Sequence, residues 1–466
     1  MTRRAAPGLP ERSFLLYGLG VTNLAVARSL LAHERDVVVA DDGTPESATT
    51  AAAELGVPVR NRPDRRALED LVATVDAVIP APGLPEHHPV FAEARRFAKP
   101  VLGEFDVAAA WDDRPLLAVT GTNGKTTVTM LVAAMLERSG VPCAAVGNLE
   151  TPLVAAIEDP RPEAFVVEAS SFRLARSRWF SPRVGTWLNF AEDHLDVHTS
   201  VEEYRRAKAR IWADQGPDDT AVLNAEDPVV AAAAPSGPDA PRLVRFGLAE
   251  QVSGVPTDLH LRGDRLVGPD GDELGRVGEL WSRLPHDVSN ALAAAATALA
   301  GGATPDGVRA ALRSFEGLSH RVELVAEVDG VRWYDDSKAT APHATLAAVR
   351  GFDSVVLIAG GRNKGLDLGV LGEVASRIRA VVAIGEAASE VREALAGRPS
   401  QTADSMEEAV AAAAAIARPG DVVLLSPACA SFDWYGSYVE RGRDFVANVH
   451  RQLGLDAAAG HGRGTA

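Results

Sequence analysis

The fold can be read from the stretch Thr120-Gly121-Thr122-Asn123-Gly124-Lys125-Thr126-Thr127. An apolar, strand-like run, Leu116–Thr120, precedes it, and a helix-like run, Val128–Arg138, follows it. Glycines allow a backbone to fold tightly round phosphates, and the amides at a helix start point towards them. Lys125 would add a point charge, and Thr126 stands where a Mg²⁺-binding hydroxyl belongs. The order of strand, glycine loop, lysine, hydroxyl and helix predicts a phosphate-binding loop.

The spacing of this loop leaves an alternative open. Position 119 is Val and the nearest upstream glycine is Gly121, so the common spacing G-x-x-x-x-G-K-[ST] is not met. A glycine turn that merely caps a helix is therefore the alternative. Glu168 ends the apolar run Phe165–Glu168, where open α/β sheets place their ligands, and its carboxylate could hold Mg²⁺. Taken alone, an acid in this position is more often a solvated strand end.

Short β-branched runs alternate with Ala/Leu-rich helical stretches, which is typical of parallel α/β layers. Helices are predicted at Val128–Arg138 and Asn290–Ala300, and a small hairpin between Leu259 and Val277. The predicted strands are Phe14–Tyr17, Val37–Ala40, Ala77–Pro80, Leu116–Thr120, Phe165–Glu168, Thr186–Asn189, Ala221–Asn224, Val355–Ala359, Val381–Ile384 and Val422–Leu425. The length of 466 residues indicates three domains, which we place at 1–112, 113–315 and 316–466.

The composition of the chain narrows the classes of binding partner and the cellular compartment that we expect. A net charge of −16 repels nucleic-acid backbones, although a local cluster of cations can still bind small anions. Two distant cysteines, Cys143 and Cys429, fit a reducing compartment and give no metal-ligand spacing. The first residues lack an apolar leader, and no apolar run is long enough to span a membrane. We expect a cytoplasmic monomer that acts on small molecules, without nucleic acid or membrane.

A second glycine turn lies near the start of the chain. Phe14-Leu-Leu-Tyr-Gly18-Leu-Gly20-Val-Thr22-Asn23, followed by Val37-Val-Val-Ala-Asp41, is close to a Rossmann dinucleotide fingerprint. The third glycine is missing, because Asn23 stands in its place. From these residues alone, an NAD site and a bare structural turn are both open.

Four segments together resemble the central ATPase domain of the Mur ligase family: Thr120–Thr127, Glu168-Ala-Ser-Ser-Phe172, Asn189–Asp196 and Tyr204–Ile211. The phosphate loop of that family has the same shortened form. The resemblance implies an α/β protein with a Rossmann-like N-terminal domain, a central phosphate-loop ATPase domain with a mostly parallel sheet, and a Rossmann-like C-terminal domain. It also implies ATP as a cofactor, held by Gly121, Thr122, Asn123, Gly124, Lys125, Thr126 and Thr127.

The resemblance further implies two Mg²⁺ sites. Thr126 and Glu168 would hold one ion, and His194 would hold the second together with a carbamylated Lys208. A carbamate is a hard oxygen ligand on a long arm, which suits Mg²⁺. Asn148 matches a family asparagine near the reacting centre.

Two segments match the nucleotide contacts of the family. Leu284-Pro-His286-Asp287-Val-Ser-Asn290 resembles the stretch near the adenine, with Asn290 as the contact. The family commonly has Asn where this chain has Asp287, so position 287 receives no role. Arg321, in Gly317-Leu-Ser-His320-Arg321, would also reach the nucleotide.

For the first domain the resemblance offers a third interpretation, in which the glycine turn binds the UDP part of a substrate. Gly20, Val21 and Thr22 would lie by the diphosphate and Asp41 by the uridine. Pro82 and Gly83 would form a second contact loop.

The last domain resembles the glutamate-adding branch of the family through Trp333–Thr340 and Leu425–Asp433. Lys338 and Asp336 would lie near the reacting phosphate and the nucleotide. The glutamate site would comprise Thr340, Lys364, Ser431, the Phe432 backbone and Tyr438. Two positions depart from the pattern: Asn363 stands where Asp is frequent, and Tyr438 stands where Phe is common.

The implied reaction is ATP-dependent ligation of D-glutamate to UDP-N-acetylmuramoyl-L-alanine through an acyl phosphate, in peptidoglycan precursor synthesis. Domain closure is expected to exclude water from the acyl phosphate. Three alternatives stay open: a sister ligase adding L-glutamate or another amino acid, an NAD-dependent oxidoreductase, and a non-catalytic nucleotide-binding module. The oxidoreductase would leave Glu168, His194 and Lys208 without a role.

Overall fold

A computed structural model describes residues 9, 12–43, 50, 52–53, 55–194 and 197–455. The chain divides into two compact units, residues 1–315 and 316–466. The predicted division of the first unit at residue 112 stays a prediction. In the part of the chain that the structure describes, no helix has the length and apolar content needed to cross a membrane.

The first sheet of the N-terminal unit is parallel, with strand order β3-β2-β1-β4. Its strands are β1 (Ser13–Tyr17), β2 (Asp36–Asp41), β3 (Val59–Asn61) and β4 (Ala77–Pro80). The accompanying helices are α1 (Val21–Ala32), α2 (Arg65–Thr74), α3 (Pro89–Arg96) and α4 (Glu104–Trp111). Phe14, Leu15 and Leu16 are all fully buried, as expected of a parallel strand covered on both faces.

The second sheet of this unit is also parallel, with strand order β10-β9-β8-β5-β7-β6. Its strands are β5 (Leu116–Thr120), β6 (Cys143–Gly147), β7 (Ala164–Glu168), β8 (Val184–Trp187), β9 (Thr220–Asn224) and β10 (Arg242–Phe246). The helices are α5 (Lys125–Arg138), α6 (Leu153–Ala156), α7 (Ser171–Arg176), α8 (Val201–Ala209), α9 (Pro228–Ala232), α10 (Pro285–Ala300) and α11 (Pro305–Ser314). Because β5 lies between β7 and β8, the segments that follow these three strands meet at one sheet edge.

Small antiparallel pieces follow β10. Two short strands, β11 (Gln251–Val252) and β12 (Val255–Pro256), pair with each other. The hairpin predicted at 259–277 is a three-stranded sheet formed by β13 (His260–Arg262), β14 (Arg265–Val267) and β15 (Glu273–Arg276). Single turns of 3₁₀ helix occur at Arg210–Trp212 and Val277–Glu279.

The C-terminal unit is built on a mixed sheet with strand order β16-β17-β21-β18-β19-β20, in which only β16 is antiparallel to its neighbour. Its strands are β16 (Glu323–Val328), β17 (Val331–Asp335), β18 (Val355–Gly360), β19 (Ile378–Ile384), β20 (Ser400–Ala403) and β21 (Val422–Leu425). Its helices are α12 (Pro342–Arg350), α13 (Ala388–Ala394), α14 (Met406–Ile416) and α15 (Tyr438–Leu453), with a 3₁₀ segment at Leu368–Arg377.

These sheets confirm the predicted α/β class, and all ten predicted strands overlap observed ones. One predicted strand, Thr186–Asn189, is displaced, because β8 runs from Val184 to Trp187. Asn189 lies beyond the ladder, where its side chain contacts the phosphate loop. A functional contact therefore ends the strand earlier than its composition indicates.

Candidate active site

The predicted phosphate loop joins β5 to α5, as the sequence indicated. Gly124 adopts a left-handed conformation (φ 82°) as the N-cap of α5. A Cβ atom at Gly124 would lie 2.4 Å from Asn290 Oδ1, and the left-handed backbone is strained for other residues, so this position favours glycine. The structure thus brings Asn290, predicted from a distant segment, into contact with the loop. Thr126 and Thr127 lie in the first turn of α5.

Asn189 holds the loop from the neighbouring strand end. Its Oδ1 accepts hydrogen bonds from the backbone N–H groups of Thr122 (3.0 Å) and Asn123 (2.9 Å). The Thr122 hydroxyl donates to the Ala191 carbonyl at 3.2 Å. These bonds fix the loop without using Lys125, whose Nζ donates to the carbonyls of Gly121 (2.9 Å) and Thr122 (2.8 Å). The sequence predicts Asn189 as the end of a strand, and no local pattern indicates that its side chain holds the loop.

Lys208 is fully buried directly beneath the loop. Its Nζ donates to the Gly121 carbonyl at 2.6 Å and lies 4.6 Å from the centre of the Tyr204 ring. Burial lowers the pKa of Lys208 well below its usual value, and the nearby Lys125 lowers it further, while Asp193 opposes the shift. A buried amine that loses its proton readily is a nucleophile, which is the property that reaction with CO₂ requires.

Glu168, at the end of β7, is buried and is contacted by the exposed Asn148. Its Oε1 accepts a hydrogen bond from Asn148 Nδ2 at 3.1 Å. Its Oε2 is buried and has no hydrogen-bond partner among the described residues. A buried carboxylate oxygen without a partner is costly unless a ligand satisfies it. The oxygen donors of Glu168 and Thr126 therefore fit a Mg²⁺ ion.

His194 and Lys208, the predicted second metal pair, both lie beside Tyr204. The His194 ring is 6.0 Å from the Tyr204 ring and 4.7 Å from the Phe172 ring, measured between centres. The His194 backbone is left-handed (φ 57°), which is uncommon outside glycine and occurs at functional sites. Of the motif 189–196, positions 195 and 196 lie outside the described residues.

His198 is a further residue of this site, and no sequence motif indicates it. It is buried, with Nδ1 2.9 Å from Glu86 Oε1 and Nε2 3.0 Å from Ser171 Oγ. Burial lowers the pKa of His198, against the opposing effect of Glu86. His198 thereby joins the segment after β4 to α7, which begins just beyond Glu168.

The first glycine turn is held together by its own polar side chains. Gly18 is left-handed (φ 87°), and a Cβ there would lie 2.8 Å from Ala81 Cβ. The Asp41 carboxylate accepts hydrogen bonds from the backbone N–H groups of Leu19 (2.5 Å) and Gly43 (2.8 Å). Asn23, in place of the third glycine, is buried and donates to the Gly18 carbonyl at 2.8 Å. Asn23 therefore stabilises the turn, whereas a glycine in its place would leave that space open.

The residues predicted to bind UDP lie round the start of α1. Gly20 is the N-cap of α1 without a side-chain hydrogen bond, and Val21 is 70% exposed. The Thr22 hydroxyl accepts a hydrogen bond from Arg173 at 3.0 Å. Pro82 and Gly83 follow β4, the neighbour of β1, so the two predicted contact loops begin at adjacent strand ends.

In the C-terminal unit, the segment after β17 is fixed by buried polar contacts. His320 Nδ1 lies 2.6 Å from Asp335 Oδ2, and the His320 carbonyl accepts from Lys338 N at 3.1 Å. Lys338 Nζ lies 5.0 Å from the centre of the Tyr438 ring. Burial raises the pKa of Asp336 to about 8, although the Ser426 hydroxyl donates to its Oδ2 at 2.7 Å. Arg321 precedes β16 in the turn that contains His320.

The predicted glutamate residues follow three adjacent strands, β17, β21 and β18. A backbone bridge between Arg362 and Ala430 joins the segments that carry Lys364 and Ser431. Thr340 lies just before α12, and Tyr438 begins α15. The five residues of the predicted glutamate site differ in exposure. Lys364 and Phe432 are exposed, Thr340 and Tyr438 are half-buried, and Ser431 is buried.

Arg441 is a structural support of this region that the sequence did not indicate. It is almost completely buried, and its guanidinium donates to the carbonyls of Ser337 (2.8 Å) and Cys429 (3.1 Å). Burial lowers the pKa of Arg441 to about 10. The arginine thus holds the segments after β17 and β21 together.

A glycine loop at a helix start, a lysine folded over it and a buried carboxylate at the next strand end define a phosphate-loop enzyme that acts on a nucleotide. The family comparisons agree. Residues 119–298 match the Mur ligase middle domain, and residues 320–429 match the Mur ligase, glutamate ligase domain. The chain belongs to the Mur ligase family.

Named relatives support this assignment. A UDP-N-acetylmuramoylalanine–D-glutamate ligase of Frankia casuarinae is 42% identical, covering 96% of this chain and 95% of the relative. The enzyme of the same name from Pelotomaculum thermopropionicum is 39% identical, covering 93% and 96%. The MurF ligase of Thermotoga maritima, solved in complex with ADP, has the same fold at 16% identity, with a TM-score of 0.56 and coverage of 95% and 98%. Membership in a ligase family disfavours the oxidoreductase and the non-catalytic alternatives.

Proposed function

We propose that this chain joins D-glutamate to UDP-N-acetylmuramoyl-L-alanine and converts ATP to ADP and phosphate. The substrates are inferred from relatives named for this reaction that align over more than nine-tenths of the chain. The observation that carries the chemistry is the cluster of Lys125, Lys208 and the unpartnered Glu168 oxygen round one phosphate loop. Such a cluster suits transfer of a phosphoryl group to a carboxylate.

In this proposal the γ-phosphoryl group passes to the alanyl carboxylate of the UDP-linked substrate and gives an acyl phosphate. The loop amides orient the phosphates, and Lys125 offsets their charge as the two anions approach. Asn290 lies against Gly124 and would contact the nucleotide there. Arg321 and Asp336 are the nucleotide contacts proposed in the C-terminal unit.

The oxygens of Thr126 and Glu168 would hold one Mg²⁺, and His194 with a carbamylated Lys208 would hold the second. When bound, Mg²⁺ would neutralise charge between ATP and the substrate carboxylate. The lowered pKa of Lys208 supports carbamylation, because the neutral amine is the form that reacts with CO₂. Asn148 keeps Glu168 in place through the hydrogen bond to Oε1.

Glutamate would then attack the acyl phosphate through its free amine, releasing phosphate. Both of its carboxylates must be held while the nitrogen stays uncovered, which calls for cationic and hydroxyl donors. Lys364, Thr340 and Ser431 supply these donors at adjacent strand ends, with the Phe432 backbone and Tyr438 beside them. Lys338 would lie near the reacting phosphate.

The first glycine turn would bind the UDP part through Gly20, Val21, Thr22, Asp41, Pro82 and Gly83. An uncapped helix start offers N–H groups to a diphosphate. The exposed Val21 beside it leaves room for a ligand.

The decisive experiment measures phosphate release from ATP with UDP-N-acetylmuramoyl-L-alanine and a panel of amino acids. We expect release with D-glutamate and much less with L-glutamate, alanine, lysine or diaminopimelate. A preference for L-glutamate or another amino acid would make the chain a sister ligase. Sedimentation of the same preparation would test the proposed monomer.

A further inference from the structure

A cavity of about 230 Å³ in the N-terminal unit is lined by residues that have no role in the sites described above. Four arginines line it, together with apolar side chains that include Phe91 and Val101; the arginines are Arg95, Arg176, Arg178 and Arg210. The volume is below the usual range for drug-sized ligands, about 300–1,000 Å³, but ample for a small ion with a short organic group. The cavity therefore suits a small molecule with one charged end and one apolar end.

None of the four guanidinium groups has a carboxylate oxygen within ion-pair distance among the residues that the structure describes. Two carboxylates act on them from further away, and both are already occupied. Glu86 accepts from His198 and Thr199, and Asp106 accepts from the backbone of Arg178 and Trp179. Four clustered cations repel one another unless an anion lies between them. In a protein of net charge −16, such a cluster marks a site for a bound anion.

Two of the arginines are held in place by backbone carbonyls. Arg176 donates to the Leu84 carbonyl at 2.9 Å and stacks 4.3 Å from the centre of the Phe91 ring. Its Nε is buried with no hydrogen-bond partner in the described part of the chain. Arg210 donates to the carbonyls of Leu174 and Ser177. Guanidinium groups fixed in this way lose little freedom when a ligand binds.

We propose that this four-arginine cavity binds a small phosphate-bearing anion, either free phosphate or a phosphomonoester with a short apolar group. Planar guanidinium forks match phosphate oxygens bidentately, which lysines cannot do. The apolar wall formed by Phe91 and Val101 favours the phosphomonoester. The cavity shares no lining residue with the phosphate loop, and the proposal does not depend on the reaction proposed for the chain.

The test is calorimetric titration of the full-length protein with inorganic phosphate, phenyl phosphate and citrate. All titrations use protein that carries Lys125→Ala, because this substitution reduces phosphate binding at the phosphate loop. We expect saturable binding of one phosphate or phenyl phosphate and weaker binding of citrate. Arg95→Gln and Arg178→Gln remove exposed rim arginines, and each should raise the Kd at least about ten-fold.

Arg96→Gln is the matched control, because Arg96 is the next residue of α3 and pairs with Glu69 and Glu93 outside the cavity. Its Kd should stay within about two-fold of the background value. Three results would overturn the proposal: no saturable binding at millimolar phosphate, equal weakening by Arg96→Gln, or citrate binding as tightly as phenyl phosphate. A melting temperature unchanged in all three variants would confirm that the comparison is made between folded proteins.

Discussion

The glycine turn after β1 and the phosphate loop after β5 share one backbone plan and differ in their polar side chains. Both lie between a parallel strand and a helix, and both contain a left-handed glycine, Gly18 and Gly124. In the first turn, the Asn23 amide and the Asp41 carboxylate bind the turn itself. In the second, the amines of two lysines, Lys125 and Lys208, converge on the Gly121 carbonyl.

The difference between these two turns shows what the shared strand–glycine–helix backbone determines. It determines only the place where an anion can approach. The backbone N–H groups at a helix start can attract a phosphate in either place. Chemistry requires, in addition, charges that can be matched to a developing transition state. Charged groups of this kind lie near the end of β5: Lys125, Lys208 and Glu168. Near the end of β1, the polar side chains form hydrogen bonds with the turn itself. The first turn suits binding and the second suits catalysis.

The largest effect should come from Lys125→Ala in the phosphate loop. Removing a preorganised charge at the transferring phosphoryl group should lower kcat by about 10²–10⁴-fold with the protein still folded. Steady-state phosphate release measures it. Thr22→Ala, the matched change in the first turn, should mainly raise KM for the UDP substrate. Near-normal turnover by Lys125→Ala would remove the loop from the mechanism and break the comparison.

Lys208→Ala should lower kcat by about 10²–10³-fold, because it removes the oxygen ligands that a carbamate would supply. Added formate or acetate should restore part of the activity by replacing those oxygens. Lys99→Ala, outside the site, is the control and should stay near wild type. The idea fails if spectroscopy of ¹³C-labelled enzyme finds an unmodified Lys208 in fully active protein.

A third glycine loop begins at Gly360 and Gly361, where β18 ends, and it sharpens the comparison because its lysine, Lys364, is exposed. Lys364→Ala should raise KM for glutamate about ten- to a hundred-fold, since a charge-assisted hydrogen bond contributes roughly 1.5–3 kcal/mol. KM for ATP and for the UDP substrate should change little. Arg362→Ala in the same loop loses only an exposed pair with Glu386 and is the control. A uniform loss for all three substrates would make Lys364 structural.

The glycine turn after β1 should bind UDP and should not bind NAD, although its sequence is close to a dinucleotide fingerprint. Asn23 occupies the space that the third glycine leaves open in such folds, and its amide donates to the Gly18 carbonyl. Calorimetric titration of the whole protein with each ligand decides between them. Tight NAD binding with none for UDP would restore the dinucleotide interpretation.

The smallest effect concerns stability. Asn23→Ala should lower the free energy of unfolding by about 1–3 kcal/mol, because it leaves the partly buried carbonyl of Gly18 without its donor. Urea unfolding measures this change. Arg28→Ala, on the exposed side of α1, should shift stability by less than about 0.5 kcal/mol. If both variants unfold alike, Asn23 does not fix the turn.

Much of the fold was predictable, because the composition of strands and the glycines at turns are signals contained within a few residues. Leu116–Thr120 and Val422–Leu425 were predicted with the bounds that the structure has. In the three larger sheets, the strands that the sequence did not predict are β3, β6, β10, β16, β17 and β20. Of these, β3 and β20 are short, and their exposed residues carry little apolar signal. The start of α5 at Lys125 was placed late, because the loop residues hide the helix start.

The sequence by itself determined the order of motifs, and with it the phosphate loop, the α/β class and the resemblance that named most candidate residues. Only the tertiary structure decided how those residues are paired and charged. Lys208 meets Gly121 across 87 residues of chain, and Asn189 meets Thr122 across 67. Local patterns are encoded within a few residues, whereas burial and the pKa shifts that it causes depend on groups brought together from distant segments. The same holds for the four arginines, which come from α3, from α7 and the segment just after it, and from the 3₁₀ turn after α8.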